Sequence, residues 1–223
     1  TFALPTAPSL MILTLNFISA SIIALPLIVG VLFLFRLSNS TKLFFTYVVI
    51  NLLIQLGLKI LANYSNNNVW LVNVSAITDL VFCLVFINYF YFKLSHKKII
   101  SVSLISTVLI VIINSFLGWG SIVKSTFIGA ELLSLIMVLT GLLHLTKQKG
   151  NTPSFYFWIL IPLSLYFSVS ILVFLAMELG IENSNQNLFV FYLYLFPIVN
   201  ILAYCCYAIA FFLDARPKLN PRN

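Results

Sequence analysis

The chain has 223 residues, 61% of them hydrophobic and only 8% charged, with a mean hydropathy of +1.09. A soluble domain carries about 25% charged residues, so this composition excludes a soluble catalytic or nucleic-acid-binding domain and leaves one membrane domain. The net charge of +7 does not reverse this, because the basic residues lie in short segments between apolar runs, where topology signals reside, and form no nucleic-acid face.

Residues 1–9 hold Pro5 and Pro8 and no charge, and read as an extracellular N-terminal segment. No basic stretch precedes the first apolar run, so a retained signal peptide is not expected. Residues 10–213 contain seven apolar runs, predicted as membrane helices at about 10–35, 43–62, 70–92, 99–119, 127–146, 154–177 and 188–213. Each is long enough, at about 1.5 Å per residue, to cross a hydrocarbon core of roughly 30 Å. None alternates with period two, as a barrel strand would. The expected fold is therefore an all-α integral membrane protein.

The loops orient it. Arg36 and Lys42, then Lys93, His96, Lys97 and Lys98, then Lys147 and Lys149, fall on one side, together with a basic tail at 214–223 holding Arg216, Lys218 and Arg222. The opposite loops offer Asn63 to Asn68, a lone Lys124, and Glu178 with Glu182. The positive-inside rule places the N-terminus outside and the C-terminus in the cytoplasm. The implied location is a plasma membrane, which the resemblance below makes the inner membrane of a bacterium. Trp70, Trp119 and the aromatic cluster at 155–158 sit at the expected interfaces. Pro26, Pro162 and Pro197 each fall inside a predicted helix, where proline kinks the helix and frees a carbonyl.

The second helix carries Tyr47, Asn51, Gln55 and Lys59 at four-residue spacing, which puts them on one face. Lipid cannot bond to that face, so it must look into protein or water. Counting along the helices puts Lys59 about 5 Å below the outer surface, Glu131 about 6 Å and Asp79 about 13 Å. Lys59 and Glu131 are thus expected to pair, or else to snorkel to the interface, with Asp79 a deeper second acid. Further stripes are Tyr192, Phe196, Asn200 and Tyr204 on the seventh helix, and Pro162, Tyr166 and Ser170 on the sixth. Asn16, Asn73 and Asn114 add polarity to the outer half. The expected ligand-binding set is Lys59, Asp79, Glu131, Gln55, Asn51 and Asn200; helix-to-helix glue is the plainer use of such residues.

Catalytic machinery is not legible. His96 and His144 have no acid or cysteine at metal-ligand spacing, and no HExxH, GxSxG, Walker loop or GxGxxG occurs. Cys83, Cys205 and Cys206 lie inside apolar runs and read as buried hydrophobes. No metal, cofactor or enzymatic activity is expected. The seventh helix lacks the lysine that retinal proteins use for their Schiff base.

Three stretches carry a resemblance: Asn66-Asn67-Asn68-Val69-Trp70 running on to Asp79, Phe157-Trp158 to Tyr166-Phe167-Ser168, and Asn200 to Ala208-Ile209-Ala210-Phe211-Phe212. In these the chain resembles a group of small seven-helix membrane proteins of Bacteroidetes-type bacteria, and is similar to seven-helix input modules placed ahead of histidine kinases. The resemblance implies a sensor or receptor-like module, with any output domain on a separate polypeptide. An accessory subunit of a larger membrane complex, with a membrane or cytoplasmic partner protein, and a proton or ion pathway are the other two readings.

Overall fold

The computed structural model describes residues 7–64, 69–87, 105, 124–147, 155–183 and 186–216. These are helical, and no strand occurs among the described residues. The helices are α1 (Ala7–Ile22), α2 (Ala24–Phe33), α3 (Asn39–Tyr64), α4 (Val69–Ile87), α5 (Lys124–Lys147), α6 (Phe155–Asn183) and α7 (Gln186–Ala215). Among the described residues, five stretches are long and apolar enough to cross a membrane: Thr14–Phe33, Asn39–Leu58, Gly129–Thr146, Phe155–Val173 and Tyr194–Ala215. Val74–Ile87 is apolar but shorter. The span expected at 99–119 lies outside the described residues.

The first expected helix is interrupted at Ile23, whose backbone stays helical at φ −59° and ψ −23°. Pro26 has no N–H to give the carbonyl of Ile22, so one backbone bond is lost there while Thr14–Phe33 runs on as one span. The sixth expected helix runs on to Asn183, which carries Glu178 and Glu182 into helix where a loop was expected. Pro162 and Pro197 stay inside α6 and α7.

The outside of the bundle is apolar. Phe17, Leu32, Leu53, Leu143 and Leu202 are each more than half exposed, a surface suited to lipid and costly in water. Exposed hydroxyls turn inward on their own helices: Thr46 donates to the Lys42 carbonyl at 3.0 Å and Thr140 to that of Ile136 at 2.7 Å. Such bonds satisfy a hydroxyl where lipid offers no partner.

Inside, α6 packs along α7, α5 on α6, and α4 on α5, while α2 and α1 lie on α7 and α3 on α4. Phe44 is fully buried at the centre, edge-on to Tyr207 at 4.7 Å and within 6 Å of Phe82 and Phe211. Gly30 lets α2 approach α3, because a Cβ there would collide with the ring of Phe45.

One end of the bundle is tied by polar contacts. The Ser38 N–H donates to Asp214 Oδ2 at 2.7 Å, joining the turn before α3 to the end of α7. The Tyr156 hydroxyl donates to Ser40 Oγ at 3.1 Å, bringing in the start of α6. Arg36, Lys42 and Arg216 belong to this same end.

Candidate functional site

The stripe on α3 faces protein. Tyr47 begins eight residues into the helix, about 12 Å from its start, and Asp79 about 15 Å from the start of α4 at the opposite end. Both therefore sit near mid-bundle, and the Tyr47 hydroxyl donates to Asp79 Oδ1 at 2.7 Å. Asn51, one turn further along α3, lies near the same carboxyl. Gln55, the next turn, donates through Nε2 to the Tyr204 hydroxyl of α7 at 3.0 Å.

These residues wall a polar cavity of about 30 Å3 between α3, α4, α6 and α7. Its lining includes Tyr47, Asn51 and Gln55 from α3, Ser75 from α4, Tyr166 from α6, and Asn200, Tyr204 and Tyr207 from α7. A buried water needs roughly 10–15 Å3 of such space, so the cavity holds about two waters or an occupant of similar size. Asn200 is 8% exposed and Tyr166 packs on Phe196 at 5.8 Å, so the walls are held by the core.

Asp79 stands behind the wall formed by Tyr47 and Asn51. Beyond it, across the α4–α5 seam, lies Glu131, which is 1% exposed. Two contacts set the register of that seam: Ala76 and Leu80 cluster with Ala130, and Ile87 reaches Gly141. Numbers rise together on both helices, so they run parallel. With Leu80 beside Ala130, their chain neighbours Asp79 and Glu131 come at about the same level, each within the other's electrostatic reach. The Oε2 of Glu131 is buried with no hydrogen-bond partner among the described residues.

Of the expected site residues, then, Asn51, Gln55 and Asn200 line one cavity, Asp79 is bonded to its wall, and Glu131 is buried on α5 within electrostatic reach of Asp79. The side chain of Lys59 lies outside the described residues, and with it the expected pairing to Glu131. Asn16 is exposed and away from the cavity lining. Asn73, Asn114 and Tyr192 have side chains outside the described residues. Sequence reasoning missed Tyr207, Ser75 and Ser134. Tyr207 had a signal, since it falls seven residues after Asn200 and so on the same helix face. Cys83 is buried as expected, but in polar company.

Among the described residues no group of three His, Cys, Asp or Glu could hold a metal ion. No family model, no curated protein and no solved structure matches the chain.

Proposed function

We propose that the chain is a receptor-like sensor module of the bacterial inner membrane: a seven-helix bundle with its N-terminus outside and its C-terminus in the cytoplasm. A small polar ligand enters the cavity and biases helix packing that is felt at the basic, cytoplasmic end. The observation that carries this reading is the convergence of Asn51, Gln55, Tyr166, Asn200 and Tyr204, from three separate helices, on one cavity in an otherwise apolar bundle. Polar side chains are costly at this depth unless they meet one another or a ligand.

The cavity volume sets the ligand class. An occupant of a few non-hydrogen atoms fits as the walls stand, whereas drug-sized pockets run to roughly 300–1,000 Å3. Two walls have a means of moving. Pro162 lies one turn before Tyr166, and Pro197 three residues before Asn200. Each removes one backbone bond from its helix beside the cavity. Arg36, Lys42 and Arg216, within a few residues of Ser38 or Asp214, support the cytoplasmic assignment of that end.

The test is a thermal-shift screen of the purified chain against small polar compounds. A true ligand at about a hundred times its Kd stabilises by about 2.7 kcal/mol, and the shift disappears in Gln55→Leu and Asn200→Leu. A silent screen, with both variants unchanged in stability and in the host's phenotype, would remove this reading.

A further inference from the structure

We propose that Asp79 and Glu131 form a proton-binding site, a buried pair of carboxyls that together hold one proton, exchanged with the polar cavity past Tyr47 and Asn51. The site does not depend on a ligand entering that cavity.

Charge balance is the first step. Both acids are buried, at 2% and 1% exposed, and the parallel register of α4 and α5 sets them level. Two carboxylates without a positive partner in such a place are costly to hold ionised together, so at neutral pH the pair keeps a proton. The groups that face them are Tyr47 from α3, Cys83 from α4, Tyr166 from α6, and Tyr204 and Tyr207 from α7. None is a cation. Among the described residues, no Lys, Arg or His bears on either carboxyl.

The second step is the division of roles. Asp79 accepts a hydrogen bond from Tyr47 at 2.7 Å and has the polar Asn51 nearby, which suits the ionised member of the pair. Glu131 has an oxygen, Oε2, that is buried and has no partner among the described residues. An unpartnered carboxylate oxygen at that depth is the least tenable arrangement for a charge, so Glu131 is the member that carries the proton.

The third step is the choice of a proton over a metal ion. Around the seam lie Ala76, Leu80, Leu84 and Ala130, with Val72 and Met137 packed on them. These side chains supply no oxygen to complete a coordination shell. Ser134, the nearest hydroxyl on α5, already donates to the Ala130 carbonyl at 2.9 Å. A proton needs no further ligand. When it leaves, Glu131 gives up its O–H bond, keeps the electron pair as carboxylate, and H+ passes to water. Polar space lies close by in the cavity, whose wall residue Tyr47 bonds Asp79.

Infrared difference spectroscopy on the full chain in lipid nanodiscs tests this. The wild type at neutral pH, in sodium-free buffer, is expected to show the C=O stretch of a protonated carboxyl that vanishes at alkaline pH. Glu131→Gln should remove that band. Sodium should leave it unchanged, and so should Lys59→Met. Four results would overturn the proposal: no protonated-carboxyl band in the wild type; a band displaced by sodium, which makes this a cation site; a band that appears only in Lys59→Met, which makes Glu131 an ion-pair partner; or a band unaffected by both Glu131→Gln and Asp79→Asn. The wild-type measurements stand even if a variant fails to fold, and none of them depends on the ligand screen.

Discussion

Tyr47→Phe removes one oxygen from the centre of the bundle and little else. The ring stays stacked on Phe82, at 3.9 Å between centroids and 16° between planes, and stays beside Phe44 at 5.8 Å. What goes is the hydroxyl that donates to Asp79 Oδ1 at 2.7 Å. Hydrogen bonds to charged groups contribute about 1.5–3 kcal/mol in water-soluble proteins, and a stranded buried acceptor costs about 1–3 kcal/mol. Between membrane helices the net value is smaller, averaging about 0.6 and reaching about 1.7 kcal/mol, because the unfolded reference also finds partners. Asn51 remains near Asp79 after the change, which limits the loss further. The expected cost is therefore about 0.5–1.5 kcal/mol, read from reversible unfolding in mixed detergent micelles. A double-mutant cycle with Asp79→Asn should return a coupling on the order of 1 kcal/mol. If Tyr47→Phe unfolds with the wild type and the coupling is nil, the Tyr47–Asp79 bond does not hold α3 to α4, and the polar centre described above is misassembled.

Asp214→Ala strands the Ser38 N–H at the end of α7 and should destabilise by about 1 kcal/mol in the same assay, while Asp214→Asn, which keeps an acceptor oxygen, should recover most of the loss. Gly30→Leu drives a side chain into the Phe45 ring and should cost about 1–3 kcal/mol, with Gly30→Ala costing less. A proton held by the folded Asp79–Glu131 pair and not by the unfolded chain makes the bound-proton difference, unfolded minus folded, equal to minus one. Stability should then fall as pH rises above the ordinary carboxyl range of about 4, by about 1.4 kcal/mol per pH unit, until the folded pair also releases its proton. A flat pH profile between mild acid and neutrality would count against a stored proton.

The membrane character and the inward face of α3 were legible because lipid makes a severe demand. A stripe such as Tyr47, Asn51 and Gln55 has nowhere to point but into the bundle. The meeting of Asp79 with Glu131 was not legible from depth counting, which placed Glu131 about 7 Å shallower. Part of the error is the start of the helix: α5 begins at Lys124, three residues before the expected start. The remainder is the offset between α4 and α5, which depends on the fit of Ala76 and Leu80 against Ala130 and leaves no trace in either helix alone. The interruption at Ile23 follows from Pro26, but whether a membrane proline bends a helix or ends it depends on what else can satisfy the freed carbonyl. Asp214 carried an unread signal. An acid in the last turn opposes the helix dipole, so its presence there points to a specific donor, and that donor is Ser38.

The wall of the cavity on α3 and the tied end of the bundle are joined by one aromatic column. Tyr47 stacks on Phe82 at 3.9 Å, Phe82 on Phe86 at 5.1 Å, and Phe86 meets Tyr156 edge-on at 6.3 Å. Tyr156 in turn donates to Ser40, whose hydroxyl lies 2.9 Å from that of Ser38, and Ser38 donates through its N–H to Asp214. Close-packed rings of this kind have no second arrangement at small cost. A column without two states transmits position but cannot switch, and coupling between sites requires an element with two states. Within the proposed function, the moving part must then be the opposite wall. There α6 and α7 each carry a proline within a turn of a cavity residue, and they pack along one another, so the parts of them on the far side of Pro162 and Pro197 from Tyr156 and Asp214 can shift together while the tied end stays fixed. Restoring the missing backbone bonds with Pro162→Ala and Pro197→Ala should therefore stiffen the response to an occupant while leaving the Tyr47–Asp79 bond and its contribution to stability intact.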